Sequence, residues 1–280
     1  MQAVAIVGAG ELGGAVAHVL ARRDVVRSIT LIDDSGRVAA GKALDIAQAA
    51  PVEGFATELS GSTDVSTAAA AAVVILADRI GGGEWQGEDG LLLLKRLSQT
   101  TSSAVILCAG ASQRELVDRG VRELHLERAR LFGSAPEALA GGARALVALA
   151  VNGSPHDVGL SVLGVPPAQT VIPWETATIA GFALTRLVDE PSRRRLAHRV
   201  AALWPSGPQA LASAATMVVE AMAGRSRRIA SCFVAPDTAA GTKTRTGAMP
   251  VRLGSTGIVD VVWPPLSVVE RIALDNAMML

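Results

Sequence analysis

The amino-acid sequence predicts an α/β protein: a doubly wound parallel sheet followed by a smaller α+β half. Three observations carry this expectation. Short apolar runs alternate with helical stretches from the first residues to about 133, as they do where crossover helices cover both faces of a parallel sheet. The first run, Val4-Ala5-Ile6-Val7, passes straight into Gly8-Ala9-Gly10-Glu11-Leu12-Gly13, a glycine-spaced turn from strand to helix. After Gly133 the rhythm changes to longer helical stretches punctuated by prolines, among them Pro166-Pro167, Pro173, Pro191, Pro205, Pro208, Pro250 and Pro264-Pro265.

The elements follow in order. A strand over 3–7 feeds a helix over 11–22, and a strand over 28–32 ends in Asp33. The alanine-rich stretch 36–50 reads as a helix, and a strand is expected over 56–60. The apolar run from Ala68 to Ala77 is a helix end feeding a buried strand over 72–77. A helix over 89–101, a strand over 103–108, a helix over 112–124 and a strand over 128–133 complete the first half. The second half is expected to hold a helix over 135–150, a strand over 157–163 and helices near 174–187, 190–203 and 208–223. Strands near 228–234 and 257–262 and a final helix from Leu266 follow, with 241–247 as a hairpin or loop. The division is placed between 134 and 135, giving one domain over 1–134, which carries the glycine turn, and a second over 135–280.

The glycine turn has a specific physical meaning. Gly8 permits the tight turn, Gly10 lets the backbone approach a pyrophosphate, and Gly13 lets the helix pack closely on its strand, while the helix start offers unpaired N–H groups to phosphates. Asp33 comes 25 residues after Gly8, where a carboxylate accepts hydrogen bonds from the ribose hydroxyls and repels the 2′-phosphate of NADP. The cofactor expected is therefore NAD, gripped in a Rossmann-type half by Gly8, Gly10, Glu11, Leu12, Gly13, Asp33 and, at the carboxyl edge of the strand over 72–77, Ala77. Glu11 is an acid beside the expected diphosphate and weakens binding unless it turns to solvent or meets a cation.

Composition excludes several classes. Lys plus Arg and Asp plus Glu number 26 each, with no basic stripe, so a nucleic-acid partner is not expected. No apolar run is long enough to cross a bilayer, and Met1 to Ala3 leaves no room for a leader before the first strand, so the cytoplasm is the expected location. Cys108 and Cys232 lie in separate apolar runs without the spacing of a metal knuckle or redox pair. They read as buried free thiols, and no metal site is expected.

Beyond the glycines, the run Gly41-Lys42-Ala43-Leu44-Asp45-Ile46-Ala47-Gln48-Ala49-Ala50-Pro51-Val52-Glu53-Gly54-Phe55 resembles a helical segment of the lactate/malate dehydrogenase family, nearest its malate dehydrogenase branch. The likeness continues through Thr216-Met217-Val218-Val219-Glu220-Ala221-Met222 to the closing strands. The resemblance implies NAD, a small 2-hydroxy or 2-keto acid, and a homodimer or homotetramer.

It also implies a catalytic set: a histidine that takes the hydroxyl proton, an aspartate that orients it, an arginine forked onto the substrate carboxylate, and a second arginine on a mobile loop. In this chain the histidine position falls near Pro166, within Leu163-Gly164-Val165-Pro166-Pro167, and the aspartate position near Leu139. The helix entered near Gly133 carries only Glu137 and Arg144 as charges, and Arg79 is the one cation in the loop Ala77 to Asp89. Glu137, beside Pro136, reads as a helix cap. Arg79 either meets Glu11 or the diphosphate, or pairs with Asp78. His156-Asp157 reads as turn chemistry at the entry of its strand.

Three readings stand on this sequence. The first is a catalytically degenerate dehydrogenase relative that retains an NAD(H) site. The second is a working NAD-dependent oxidoreductase on a 2-hydroxy acid or other alcohol, its site rearranged around Arg79, Glu137 and Arg144. The third is a non-catalytic interaction module.

Overall fold

The computed structural model of the chain describes residues 1–101, 103–237 and 244–279. Its first strand, β1 (Ala3–Val7), leads into α1 (Glu11–Arg22), then β2 (Ser28–Ile32), α2 (Gly36–Glu53) and β3 (Glu58–Ser62). β4 (Val73–Leu76) is buried along its whole length, as a central parallel strand with both faces covered must be. A small hairpin of β5 (Asp78–Arg79) and β6 (Gly83–Glu84) follows, then α3 (Gly87–Thr100), β7 (Val105–Cys108), α4 (Arg114–Glu123), β8 (Leu131–Gly133) and α5 (Ala135–Ala150). The strands β3-β2-β1-β4-β7-β8 lie side by side and parallel, the order of a doubly wound dinucleotide fold. One face, with Val4, Ile6, Ile29, Leu31, Val73 and Ile75, packs with residues of α1, α2 and a later helix. The other, with Ala5, Val7, Val74, Leu76 and Ile106, packs with Leu93, Leu94, Leu97, Leu116 and Val117.

The second half continues the same sheet. After β9 (Val158–Gly159), β10 (Leu163–Val165), β11 (Gln169–Val171), β12 (Thr178–Ile179) and β13 (Phe182–Ala183) come α6 (Leu184–Leu187), α7 (Glu190–Ala201) and α8 (Pro208–Met222). β14 (Ala230–Val234), β15 (Gly247–Gly254), β16 (Gly257–Val261) and α9 (Val268–Met278) close the chain. β14 pairs antiparallel with β8 through Phe233 and Gly133, so β15, β10 and β11 extend the sheet beyond its parallel half. α8 packs on α1 and on α5, and a separate apolar cluster lies between α5, α7 and the β9–β12 region.

Three expectations need correction. The helix expected near 174–187 forms only over α6; Thr178–Ile179 and Phe182–Ala183 instead make a tight hairpin. Its turn places Ala180 at φ 48° and Gly181 at φ 83°, left-handed conformations that stop a helix. The strand expected over 157–163 is split, because the chain leaves a small three-stranded sheet after Gly159 and enters the main sheet at Leu163. Between them the Leu160 carbonyl turns to Arg144 and the Val162 N–H to the Ser231 hydroxyl. Pro250 does not end an element; it sits inside β15 opposite Ser231, whose N–H is drawn to the Glu137 carboxylate instead. Of the loop expected over 241–247, residues 241–243 lie outside the described residues and Gly247 opens β15. Among the described residues no helix is long and apolar enough to cross a membrane, and no cluster of His, Cys, Asp and Glu could hold a metal ion.

Candidate functional site

The glycine turn stands at the carboxyl edge of the parallel strands, as its sequence requires. Gly8 has φ 107°, and a Cβ on Gly13 would lie 1.9 Å from the Gly8 carbonyl oxygen, so strand and helix meet there without room for a side chain. α1 begins with Glu11, and its first N–H groups have no partners within the helix. Their partner is Asp78. Its Oδ2 accepts from the Glu11 N–H at 2.8 Å and its Oδ1 from the Gly13 N–H at 2.9 Å, while its backbone carbonyl accepts from the Gly10 N–H at 2.8 Å. A Cβ on Gly10 would come within 2.3 Å of the Asp78 carboxylate. The close approach that Gly10 allows is therefore used by the chain's own carboxylate. Lys42, reaching from α2, donates to the Gly10 carbonyl. Glu11 is exposed, whereas Leu12 lies in the core.

Asp33 ends β2 as expected, buried at 6% exposure. Its Oδ2 accepts from the Ala9 N–H at 2.9 Å and the Ile80 N–H at 3.2 Å, and its Oδ1 from the Ser35 N–H at 3.0 Å. Ala77 is fully buried, its carbonyl accepting from the Trp85 N–H. The hairpin thus lies across the glycine turn and is tied down on its far side too. Glu84 accepts from the Ala111 N–H at 3.0 Å and the Ser112 N–H at 2.7 Å. Gln113, fully buried, accepts from the Gly110 N–H and donates to the Trp85 carbonyl. Arg79 meets neither Asp78 nor Glu11: its guanidinium stacks 4.5 Å from the Trp85 ring centre and pairs with Asp89 at 3.3 Å. A cavity of about 230 Å³ remains beside Asp33, bordered by Thr63, Arg79, Trp85 and Arg96.

The residues at the expected catalytic positions are apolar or locked. β10 runs out into Pro166-Pro167, joined by a cis peptide bond, and Leu139 is fully buried in the cluster around α5. Glu137 is not a helix cap. It is buried at 3% exposure, pairs with Arg144 at 2.6 Å and accepts from the Ser231 N–H at 2.7 Å. Arg144 also donates twice to the Leu160 carbonyl. This pair, with His156 and Asp157, lines a cleft of about 790 Å³ that shares no lining residue with the cavity beside Asp33. His156 lies in a turn, as expected, its N–H donating to the Ser154 hydroxyl. His18 meets Glu53 at 3.1 Å, and His125 and His198 are exposed. None of the four borders the cavity beside Asp33. Cys108 and Cys232 are buried free thiols, as expected, and burial pushes both thiols up, with Glu84 adding to the effect at Cys108 and Glu137 at Cys232.

A family model described as the lactate/malate dehydrogenase NAD binding domain matches residues 2–86, from β1 through the hairpin. The chain is a relative of the lactate/malate dehydrogenases. It is 27% identical to the malate dehydrogenase of Thioalkalivibrio sulfidiphilus over 99% of this chain and 96% of that protein. It is 26% identical to that of Thermomicrobium roseum over 98% and 94%. In fold it matches the malate dehydrogenase of Salinibacter ruber with a TM-score of 0.86 at 22% identity, covering 99% of this chain and 94% of that one. It matches the lactate dehydrogenase of Cryptosporidium parvum, a structure complexed with lactic acid and nicotinamide adenine dinucleotide, with a TM-score of 0.87 at 18% identity and the same coverage.

The segment matched, residues 2–86, is thus of NAD-binding type, and it carries the glycine turn and Asp33. A diphosphate in that domain takes the N–H groups at the start of the first helix, and here Asp78 holds them. In the arrangement the chain adopts, the seat does not fit a dinucleotide. Asp78, Glu84, Lys42 and Gln113 were not singled out from the sequence as site residues. The one signal was local: an acid directly after a fully apolar strand, at the sheet edge where anions bind.

Proposed function

We propose that this chain is a dehydrogenase relative without dehydrogenase turnover, a nucleotide-domain protein whose role is binding. The observation that supports it is the state of the polar groups left in the second half. Glu137 and Arg144 are consumed by each other, by the Leu160 carbonyl and by the Ser231 N–H, and the position expected for the proton-transferring histidine falls near Pro166, where the sequence has no histidine. A site without its acid–base loses a factor of roughly 10² to 10⁴ from that term alone. The rearranged-enzyme reading requires Arg79, Glu137 and Arg144 around one substrate, yet Arg79 borders one cavity and the other two line a cleft elsewhere.

Within this reading Asp33 supports NAD over NADP, since a buried carboxylate repels a 2′-phosphate. The boundary near 134 separates the nucleotide half from the half that has lost its substrate chemistry. A homo-oligomer is part of the proposal, supported by Leu44 and Val52, which α2 leaves 60% and 89% exposed. The test is a spectrophotometric screen of malate, lactate, oxaloacetate, pyruvate and related acids with NAD⁺ or NADH. No change in NADH above the uncatalysed rate is expected, and steady multiple turnover on any member of the panel defeats the proposal.

A further inference from the structure

We infer that the hairpin from Asp78 to Glu84 is an internal ligand of the dinucleotide seat, and that a diphosphate-bearing cofactor can enter only by displacing the Asp78 carboxylate. The inference rests on the nucleotide-binding ancestry of the first half and is independent of whether catalysis has been lost.

The argument starts from the helix end. The first turn of α1 presents N–H groups with no partner in the helix, and the aligned peptide dipoles favour an anion there. Asp78 supplies that anion with both oxygens, at 2.8 and 2.9 Å from the Glu11 and Gly13 nitrogens. A phosphate group needs the same donors in the same place. It would also meet the negative charge of Asp78 at close range, so the two cannot share the seat. Gly10 is occupied in the same sense, because the space left by its missing side chain is filled by the Asp78 carboxylate.

The hairpin is also anchored at points that a flexible loop would lack. The Ile80 N–H donates to Asp33, the residue expected to hold the ribose. Glu84 takes the Ala111 and Ser112 N–H groups in the turn that follows β7, and a Cβ on Gly110 would come within 2.3 Å of it. Gln113 holds the Trp85 carbonyl, and Arg79 lies over the Trp85 ring. Two carboxylates, six residues apart on one hairpin, therefore satisfy two separate backbone donor sets at the carboxyl edge of the sheet. Opening must break these contacts together. The cavity beside Asp33 stays open under the closed hairpin, so the obstruction falls on the diphosphate rather than on the nucleoside end.

Calorimetric titration of the full chain with NADH, ADP and adenosine tests this, comparing the native protein with Asp78→Gly and Asp78→Asn. Asp78→Gly is expected to bind NADH and ADP at least tenfold more tightly than the native chain, with less than a twofold change for adenosine. Asp78→Asn keeps the shape and one acceptor but loses the charge, and is expected to fall between. Equal NADH affinity in the native chain and both variants, including no saturation in any of them, overturns the inference, as does an equal gain for adenosine. Should Asp78→Gly fail to fold by circular dichroism, Asp78→Asn carries the comparison. Hydrogen exchange on the native chain adds a readout that needs no variant: the Glu11 and Gly13 amides should be protected without ligand, and fast exchange at both refutes the closed hairpin. Because no substrate is present in these titrations, equal affinities sink this inference alone, whereas turnover in the spectrophotometric screen sinks the proposed function.

Discussion

Asp78 and Glu84 stand directly opposite each other across the arms of one hairpin, and their carboxylates serve different turns, Asp78 that of Gly10 to Gly13 and Glu84 that of Gly110 to Ser112. Two like charges placed as cross-strand partners repel, so the pairing holds because each carboxylate is drawn outward to its own backbone donors. The hairpin is in effect a bridge between the turns after β1 and β7, the two turns flanking that after β4.

The first prediction concerns the Glu84 side of this bridge. Glu84→Ala leaves the Ala111 and Ser112 N–H groups without their acceptor, and hydrogen bonds to a charged group contribute about 1.5–3 kcal/mol each at most. Solvent can reach Ser112, which is exposed, so the expected loss is about 1–3 kcal/mol in total. Urea denaturation measures it, and Glu84→Gln should recover part of the loss. A variant as stable as the native chain would mean that the hairpin is not held at this end.

The second prediction separates a structural from a chemical role for Glu137 and Arg144. Removing one partner of a buried, hydrogen-bonded pair leaves a charge uncompensated and typically costs about 3–5 kcal/mol. Glu137→Ala also strips the Ser231 N–H of its acceptor in the middle of the sheet. Both Glu137→Ala and Arg144→Ala should therefore lower the denaturation midpoint steeply: Arg144→Ala leaves the Glu137 carboxylate, 3% exposed, without its cation, and Glu137→Ala leaves Arg144, 21% exposed, without its anion. Replacing both together with apolar residues of similar volume should recover much of the loss. Single variants of native stability would return these residues to the list of catalytic candidates.

The parallel half was legible because its signals are local. Strand, glycine turn, helix and terminal acid follow one another within 33 residues, and each reports its own conformation through period and turn chemistry. The departures from the catalytic pattern that the resemblance implies are read in the same way, as residue types absent from the expected positions. What occupies the seat was not legible. Asp78 meets Glu11 and Gly13 across sequence separations of 67 and 65 residues, and only the pairing of β4 beside β1 brings the end of one against the turn of the other. The hairpin over 178–183 was missed because Leu184 to Leu187 continues an apolar pattern that periodicity alone reads as helix, while Ala180 adopts a left-handed conformation that its identity does not announce.

A third prediction uses two glycines to show that the turn is now a packing device. Gly13→Ala would drive a methyl group to 1.9 Å from the Gly8 carbonyl, so it should unfold the first half or prevent soluble expression even with no cofactor added. Gly41, inside α2, faces open space, and Gly41→Ala should instead raise stability by about 0.5–1 kcal/mol through the lower entropy of the unfolded chain. Thermal denaturation of both variants reads the contrast. Equal effects would show that the tight Gly8 to Gly13 contact does not govern folding.

The last prediction follows from the thiols. Cys108 and Cys232 are fully buried, and burial pushes both thiols well above their ordinary value of 9.0, Glu84 and Glu137 adding to it. The thiolate, which is the nucleophile, is therefore suppressed in the folded chain, and iodoacetamide at pH 8 should modify neither cysteine until denaturant is added. The same shift fixes a pH dependence. Both folded values are raised, so their stabilising contribution is fully present below about pH 9 and declines as the pH rises, because the unfolded chain then gives up thiol protons that the folded chain keeps. The sequence contains no tyrosine, so no phenol titrates beside the thiols near pH 10. From about pH 9 to 10 the stability should fall by as much as ~1.4 kcal/mol per pH unit for each thiol. Replacing both cysteines with alanine should flatten that slope while lowering stability at pH 7. A slope unchanged by the double replacement would show that the thiols ionise alike in the folded and unfolded chain, and the burial at the end of β7 and in the middle of β14 would then not be what protects them.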